Sequence, residues 1–414
     1  MKKLIGNAIV GQSGGPTAAI NATLAGVIRG VKENVHDGAI GKLYGMFNGV
    51  EGLLREDLID LSEFFSCDER ITTLEHTPAA ALGSCRLKLP KKGEDDAVYE
   101  KLIAIFKKYD IRYFFYIGGN DSMDTVAKLS EYTNGHEYEM CIVGVPKTID
   151  NDLVGTDHTP GFGSAAKYLS VTMQEILRDC AVYTKKAVTI VEIMGRDAGW
   201  LTASAALGRI VNGKAPDLVY LPERAFNLEE FFEDVKAALD KHPDVVVAVS
   251  EGIRFADGTY VCQGVSKNGG LDAFGHVQLS GTGKALELAV KERLGCKVRS
   301  VELNICQRCA SHVASKTDLE ESVRVGRTAV LRAAEGNSRC MMTIDRVSTK
   351  PYITEIGCSD IATIANKVKS VDQSFINERG NNVTDECLEY LLPLVSGEVY
   401  PEYENGIPKH IFLK

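Results

Sequence analysis

Six short apolar runs punctuate the first three quarters of the chain. Ala8-Ile9-Val10, Tyr113-Phe114-Phe115-Tyr116-Ile117, Cys141-Ile142-Val143-Gly144-Val145, Val188-Thr189-Ile190-Val191-Glu192-Ile193, Leu218-Val219-Tyr220-Leu221 and Val245-Val246-Val247-Ala248-Val249 each read as a strand apolar on both faces. Between them, helical spacing predicts helices from near Thr17, over Ala97 to Lys108, Ser122 to Leu129, Ser164 to Cys180 and Leu228 to His242. Strands buried on both faces and alternating with helices predict parallel sheets covered on both sides. Beyond Val298–Leu303 and a helix from Thr317 to Glu335 the pattern weakens. It predicts a strand near Tyr352, a helix around Ile361–Lys369 and an amphipathic piece near Leu388–Leu392.

Polar clusters follow these runs, at the strand edge where open α/β sheets bind ligands. Gly11-Gln12-Ser13-Gly14-Gly15-Pro16 follows the first run, and its backbone N–H groups suit a phosphate at a helix amino terminus. It is neither a dinucleotide fingerprint nor a Walker A loop. Gly118-Gly119-Asn120-Asp121-Ser122, Pro146-Lys147-Thr148-Ile149-Asp150-Asn151-Asp152, Met194-Gly195-Arg196-Asp197 and Ser250-Glu251-Gly252 occupy the same position after later runs. Leu82-Gly83-Ser84-Cys85-Arg86-Leu87-Lys88, with Lys91 and Lys92, concentrates positive charge; it reads as a solvated loop or as a cationic wall for polyphosphate.

Glycines 14, 15, 118 and 119, carboxylates 121, 150, 152 and 251, and Arg86, Lys147, Arg196, Arg299 and Arg308 together make a phosphate site beside a base. That is the equipment for phosphoryl transfer to an alcohol. The loop holding Asp150 and Asp152 reads equally as an ordinary polar turn until the second, similarly placed loop at 118–122 is set beside it. No H-E-x-x-H occurs and histidine is scarce, so zinc hydrolysis and serine acyl transfer lack support.

Composition narrows the picture. The net charge of -9 argues against nonspecific nucleic-acid binding and requires cations to be clustered locally for an anionic substrate. Eleven scattered cysteines suit free thiols in a reducing cytoplasm, and the lone Cys306-Gln307-Arg308-Cys309 lacks the second pair a zinc site needs. The amino-terminal apolar run is too weak for a signal peptide, and no run reaches the length of a membrane span. A cytoplasmic location is expected.

The order of Ser13-Gly14-Gly15-Pro16, Leu82-Gly83-Ser84-Cys85-Arg86, Gly118-Gly119-Asn120-Asp121-Ser122, Thr148-Ile149-Asp150-Asn151-Asp152 and Met194-Gly195-Arg196 resembles that of the 6-phosphofructokinases, a match that Glu251, Arg299 and Gln307-Arg308 extend to about residue 320. The resemblance implies an α/β fold of two Rossmann-like three-layer lobes with largely parallel sheets and the active site in the cleft between them. Residues 1–160 with about 309–365 would form the donor-phosphate lobe, and about 161–308 with 366–414 the sugar-phosphate lobe, joined through the glycine-punctuated 155–163.

The resemblance also implies roles. Asp150 is the base on the sugar 1-hydroxyl, with Asp121, Lys147 and Asp152 completing the catalytic set. Thr148, Met194, Gly195, Arg196, Glu251, Arg299 and Arg308 hold the sugar phosphate. Gly14, Gly15, Arg86, Gly119 and Ser122 lie against the donor phosphates, with Mg2+ near Asn120. Members that use ATP resemble Gly-Gly-Asp-Gly-Ser at 118–122 and carry a small residue before Thr-Ile-Asp. Here Asp121 would fill the space of a nucleotide α-phosphate and Lys147 would grip a short donor, which matches the pyrophosphate-dependent branch. Ile305 replaces a polar residue near the sugar, so sedoheptulose 7-phosphate joins fructose 6-phosphate as an expected acceptor. The family implies a homodimer or homotetramer. An ATP-dependent enzyme and a non-catalytic regulatory subunit on the same fold stand as alternatives; a dinucleotide oxidoreductase lacks its glycine fingerprint.

Overall fold

The computed structural model describes residues 4–34, 38–265 and 281–414. In chain order the strands of its two main sheets are β1 (Gly6–Gln12), β2 (Ile40–Met46), β3 (Leu58–Asp60), β4 (Ile111–Gly118), β5 (Cys141–Pro146), β6 (Ala187–Ile193), β7 (Leu218–Tyr220), β8 (Asp244–Ser250), β9 (Lys297–Glu302), β10 (Cys340–Thr349) and β11 (Tyr352–Asp360). The first sheet runs β11-β10-β5-β4-β1-β2-β3 and the second β7-β8-β6-β9. Pairing is parallel throughout the second sheet and in the interior of the first; only its two edge strands, β3 and β11, are antiparallel.

Alternate residues of the central strands feed two cores. Val10, Tyr113, Phe115, Val143 and Val145 pack with the helix Ile20–Asn34 on one face. Ile9, Phe114, Tyr116 and Ile142 pack with Asp96–Lys108 and Asn120–Thr133 on the other. Covering both faces is why these strands read as continuous apolar runs. The helices after β1 and β4 leave on opposite faces, so a crevice opens at the carboxyl ends of those neighbouring strands. Helix Ile20–Asn34 also meets Lys316–Ala334 at backbone contact: a Cβ on Gly26 would lie 2.2 Å from the Val323 carbonyl oxygen, and one on Gly326 would lie 2.1 Å from that of Thr23.

Residues of the C-terminal segment join both cores. Val371, Ile376, Val383, Leu388 and Leu391 join the second-lobe core. The last residues return to the first lobe instead: Ile411 and Leu413 pack against its core, and the Ile411 N–H donates to Thr77 Oγ1 at 3.0 Å. The helix expected around Ile361–Lys369 is a single 3-10 turn, Ile361–Thr363, followed by an irregular strap. Asn366 takes a left-handed conformation (φ 62) there, which no α-helix accommodates. No described helix is long and apolar enough to cross a membrane.

Candidate active site

Loops from both lobes meet in a cleft of about 450 Å³. The loop after β1 is fixed by Ser13, whose N–H donates to the Ile117 carbonyl (2.9 Å), and by the Gly14 N–H, which donates to that of Cys85 (3.3 Å). Gly14 has φ +76, and a Cβ on it would sit 3.4 Å from Lys147 Nζ, so a side chain would be strained and would crowd that ammonium. Lys147, two per cent exposed, donates from Nζ to the Gly15 carbonyl at 2.5 Å. Burial pulls its pKa down to about 8, against the opposing fields of Asp150 and Asp152.

Asp150 and Asp152 both line the cleft, on either side of the buried, left-handed Asn151 (φ 54). The Asp150 N–H donates to Thr148 Oγ1 at 3.1 Å. Desolvation and the Asp152 charge push the Asp150 carboxyl up to about 7, although Lys147 and Arg196 oppose them. Asp152 is raised as well, chiefly by desolvation, with a hydrogen bond from Asn120 Nδ2 (3.4 Å) pulling the other way. Asn120 Oδ1, by contrast, is buried with no partner. The floor thus holds a carboxyl poised near neutrality, able to accept a proton, and an orphaned oxygen next to a second carboxyl.

The second lobe supplies the opposite wall. Met194 and Arg196 line the cleft, while the Gly195 N–H donates to Glu251 Oε1 at 3.3 Å. Ser250 Oγ donates to the Gly195 carbonyl at 2.5 Å, which fixes the loop from behind. Burial, reinforced by Asp150, lifts the Glu251 carboxyl to about 8. Gln307, one per cent exposed, accepts from the Met194 N–H at 3.1 Å and donates to the Asn304 carbonyl at 3.0 Å. It thereby ties the Met194–Arg196 loop to the one-turn helix Cys306–Cys309 that carries Arg308 into the cleft.

Gly14, Gly15, Arg86, Gly119, Asn120, Asp121, Ser122, Lys147, Thr148, Asp150, Asp152, Met194, Arg196, Glu251 and Arg308 therefore share one cleft, with Gly195 immediately behind its wall. Arg299 does not. It lies on edge strand β9, half exposed, 3.8 Å from Asp179 and away from the cleft of its own chain. Lys91 and Lys92 also lie outside the lining; the lysine that reaches the cleft mouth is Lys88, whose Nζ lies 3.3 Å from Asp121 Oδ1. Sequence reasoning missed Asp197, Asn366 and Val368, all of which line the cleft. Asp197 was visible as the fourth residue of Met-Gly-Arg-Asp, whereas Asn366 and Val368 had no local signal. The Cys306–Cys309 pair remains as two thiols, and no metal-holding group of His, Cys, Asp or Glu occurs among the described residues.

The phosphofructokinase pattern matches residues 7–302, most of the chain and nearly all of the cleft. The chain belongs to the phosphofructokinase family. Among curated members, the pyrophosphate--fructose 6-phosphate 1-phosphotransferase of Halomonas elongata is 43% identical over 97% of this chain and 95% of its own length. The enzyme of the same name from Methylococcus capsulatus is 41% identical over 98% and 96%. A crystal structure of the pyrophosphate-dependent phosphofructokinase of Nitrosospira multiformis superposes with a TM-score of 0.88 at 39% identity, covering 98% of this chain and 96% of that one. Within this phosphofructokinase, Arg308, Asn366 and Val368 lie beyond the matched pattern yet contribute to the cleft.

Proposed function

We propose that the chain transfers a phosphoryl group from inorganic pyrophosphate to the 1-hydroxyl of fructose 6-phosphate, giving fructose 1,6-bisphosphate and phosphate. Asp150 carries this reading: a carboxylate lifted to about 7 sits in one cleft with the buried Lys147 ammonium and the glycine-rich loops. The sugar hydroxyl gives its proton to the Asp150 carboxylate as its oxygen forms a bond to the near phosphorus. The bridging P–O bond breaks, and its electrons leave with phosphate. Lys147, Arg86 and the backbone N–H groups around Gly14 and Gly119 meet the charge of the donor. Because the two phosphate bonds exchanged are close in energy, the reaction runs in both directions.

The floor suits a hard divalent cation. Asn120 Oδ1 is an orphaned buried acceptor, and the Asp152 charge raises the affinity of Asp150 for positive charge. Asn120 with Asp152 would hold Mg2+, which when bound neutralises charge on the donor oxygens. Thr148, Met194, Gly195, Arg196, Glu251 and Arg308 serve the sugar phosphate, with fructose 6-phosphate as acceptor and sedoheptulose 7-phosphate as a second. Arg299 reaches a sugar phosphate only in the cleft of another copy, which is the role proposed for it in a homodimer or homotetramer. The eleven free thiols support a cytoplasmic location.

The deciding experiment assays purified protein with fructose 6-phosphate and either pyrophosphate or ATP, reading fructose 1,6-bisphosphate. Pyrophosphate is expected to support turnover; faster turnover with ATP would reject the proposed donor. Two variants test the acceptor side. Gln307→Ala is expected to raise the fructose 6-phosphate KM about tenfold with a smaller change in kcat, because it unties two walls without touching the base. An inactive Arg299→Ala chain mixed with an inactive Asp150→Ala chain is expected to regain activity if Arg299 serves a neighbour; no recovery in mixed oligomers would remove that role.

A further inference from the structure

Behind the Lys88–Asp121 pair, a line of polar contacts crosses three separate segments at the donor end of the cleft. Lys128 Nζ donates to the Leu89 carbonyl at 2.9 Å and lies 2.7 Å from Asp124 Oδ2. The other oxygen, Asp124 Oδ1, accepts from Asn366 Nδ2 at 3.1 Å. Asp124 is one helical turn beyond Asn120 and Asp121, so it stands on the same face of the helix Asn120–Thr133. Asn366 and Val368 line the cleft itself.

The strap that presents them is fastened at both ends. Ile364 is buried in the first-lobe core and Val371 in that of the second. Between them the Lys369 N–H donates to the Asp152 carbonyl at 2.8 Å, and the Lys369 carbonyl accepts from Trp200 Nε1 at 3.0 Å. The Lys369 ammonium caps the carbonyls of Thr156 and Asp157. Asn366 and Val368 are thus held over the donor end from two sides, by Asp124 and by the loop that bears the base.

We infer that this strap, pinned through Asn366 to Asp124, sets the length of phosphate donor the cleft accepts; the inference rests on pyrophosphate being the donor. A third phosphate, or the nucleoside of a nucleotide, must displace Asn366 and Val368 and break the Asn366–Asp124 hydrogen bond that pins the strap. Both effects act against the longer donor and neither against pyrophosphate, which is how exclusion creates specificity. Asp121 guards one flank and the strap the other, so removing Asp121 alone leaves the end of the cleft closed.

The test compares pyrophosphate, inorganic tripolyphosphate and ATP as donors to fructose 6-phosphate, with Mg2+ and the full chain. In Asn366→Ala and in Val368→Gly, the ratio of kcat/KM for tripolyphosphate to that for pyrophosphate is expected to rise about tenfold, and further when either is combined with Asp121→Gly. The converse variant, Val368→Trp, is expected to lower kcat/KM for pyrophosphate, while the change in all three appears in donor rather than sugar KM. Val368 is 47% exposed, so its replacement leaves the core intact. Donor ratios within about twofold of the parent in both strap variants, with circular dichroism unchanged, would overturn the inference. A parent protein that prefers ATP is a different failure: it removes the pyrophosphate reading before any variant is compared.

Discussion

Asp150→Ala is expected to lower kcat by about 10²–10⁴-fold, the usual contribution of a positioned general base. The KM for fructose 6-phosphate should move far less, because Arg196, Glu251 and Arg308 remain in the cleft. The same position tests the pH dependence. Desolvation raises the carboxyl to about 7, so the proton-accepting form is scarce below that pH and predominant above it. In the parent, kcat/KM should therefore climb as pH rises towards about 7, the climb belonging to the Asp150–Asp152 pair jointly. In Asp150→Asn, residual activity should lose that acid limb. An unchanged limb would assign the titration elsewhere.

The opposite sign appears in stability. The ordinary carboxyl value is 3.8, and the folded cleft raises it. Above pH 3.8 the unfolded chain releases this proton more readily than the native one, so ionisation of Asp150 favours unfolding increasingly as pH rises to about 7 and fully beyond it. Asp150→Asn removes that burden. Its melting temperature, measured without Mg2+ or substrate, should exceed that of the parent at pH 8 and converge with it near pH 4. A variant less stable than the parent at pH 8 would contradict the strain assigned to the base.

The sheets and the cleft floor were legible because their determinants are local. A strand covered on both faces is a run of apolar residues, as in β4 and β5, and the loop after it carries its chemistry in five or six consecutive residues. Asp121, Lys147 and Asp150 could be found that way. The strap could not. Asn366 reaches the cleft from more than two hundred residues beyond Asp150, and its conformation is fixed by Asp124 and by packing of Ile364 and Val371 into different lobes. Its apolar spacing suggested a helix because local periodicity cannot register two cores pulling in opposite directions. Arg299 shows the converse limit: the family resemblance implied a place with the sugar phosphate, whereas strand order puts it on the outer edge of the second sheet, away from the cleft of its own chain.

Lys147→Met should be the most damaging change on the donor side. The ammonium is almost wholly buried between Gly15 and the two aspartates, and methionine fills a similar volume without the charge. A charged hydrogen bond of about 1.5–3 kcal/mol predicts a loss of about 10–10²-fold in kcat/KM for pyrophosphate. Removing the cation also leaves Asp150 and Asp152 facing each other without their main counter-charge, so the acid limb of the pH profile should shift upward. Asp121→Gly acts differently. Its carboxylate is exposed at the mouth and paired with Lys88, so its loss should weaken pyrophosphate use without moving that limb. If both variants shift the limb equally, the cleft responds as one electrostatic unit, and the division between a buried grip at Lys147 and a gate at Asp121 is wrong.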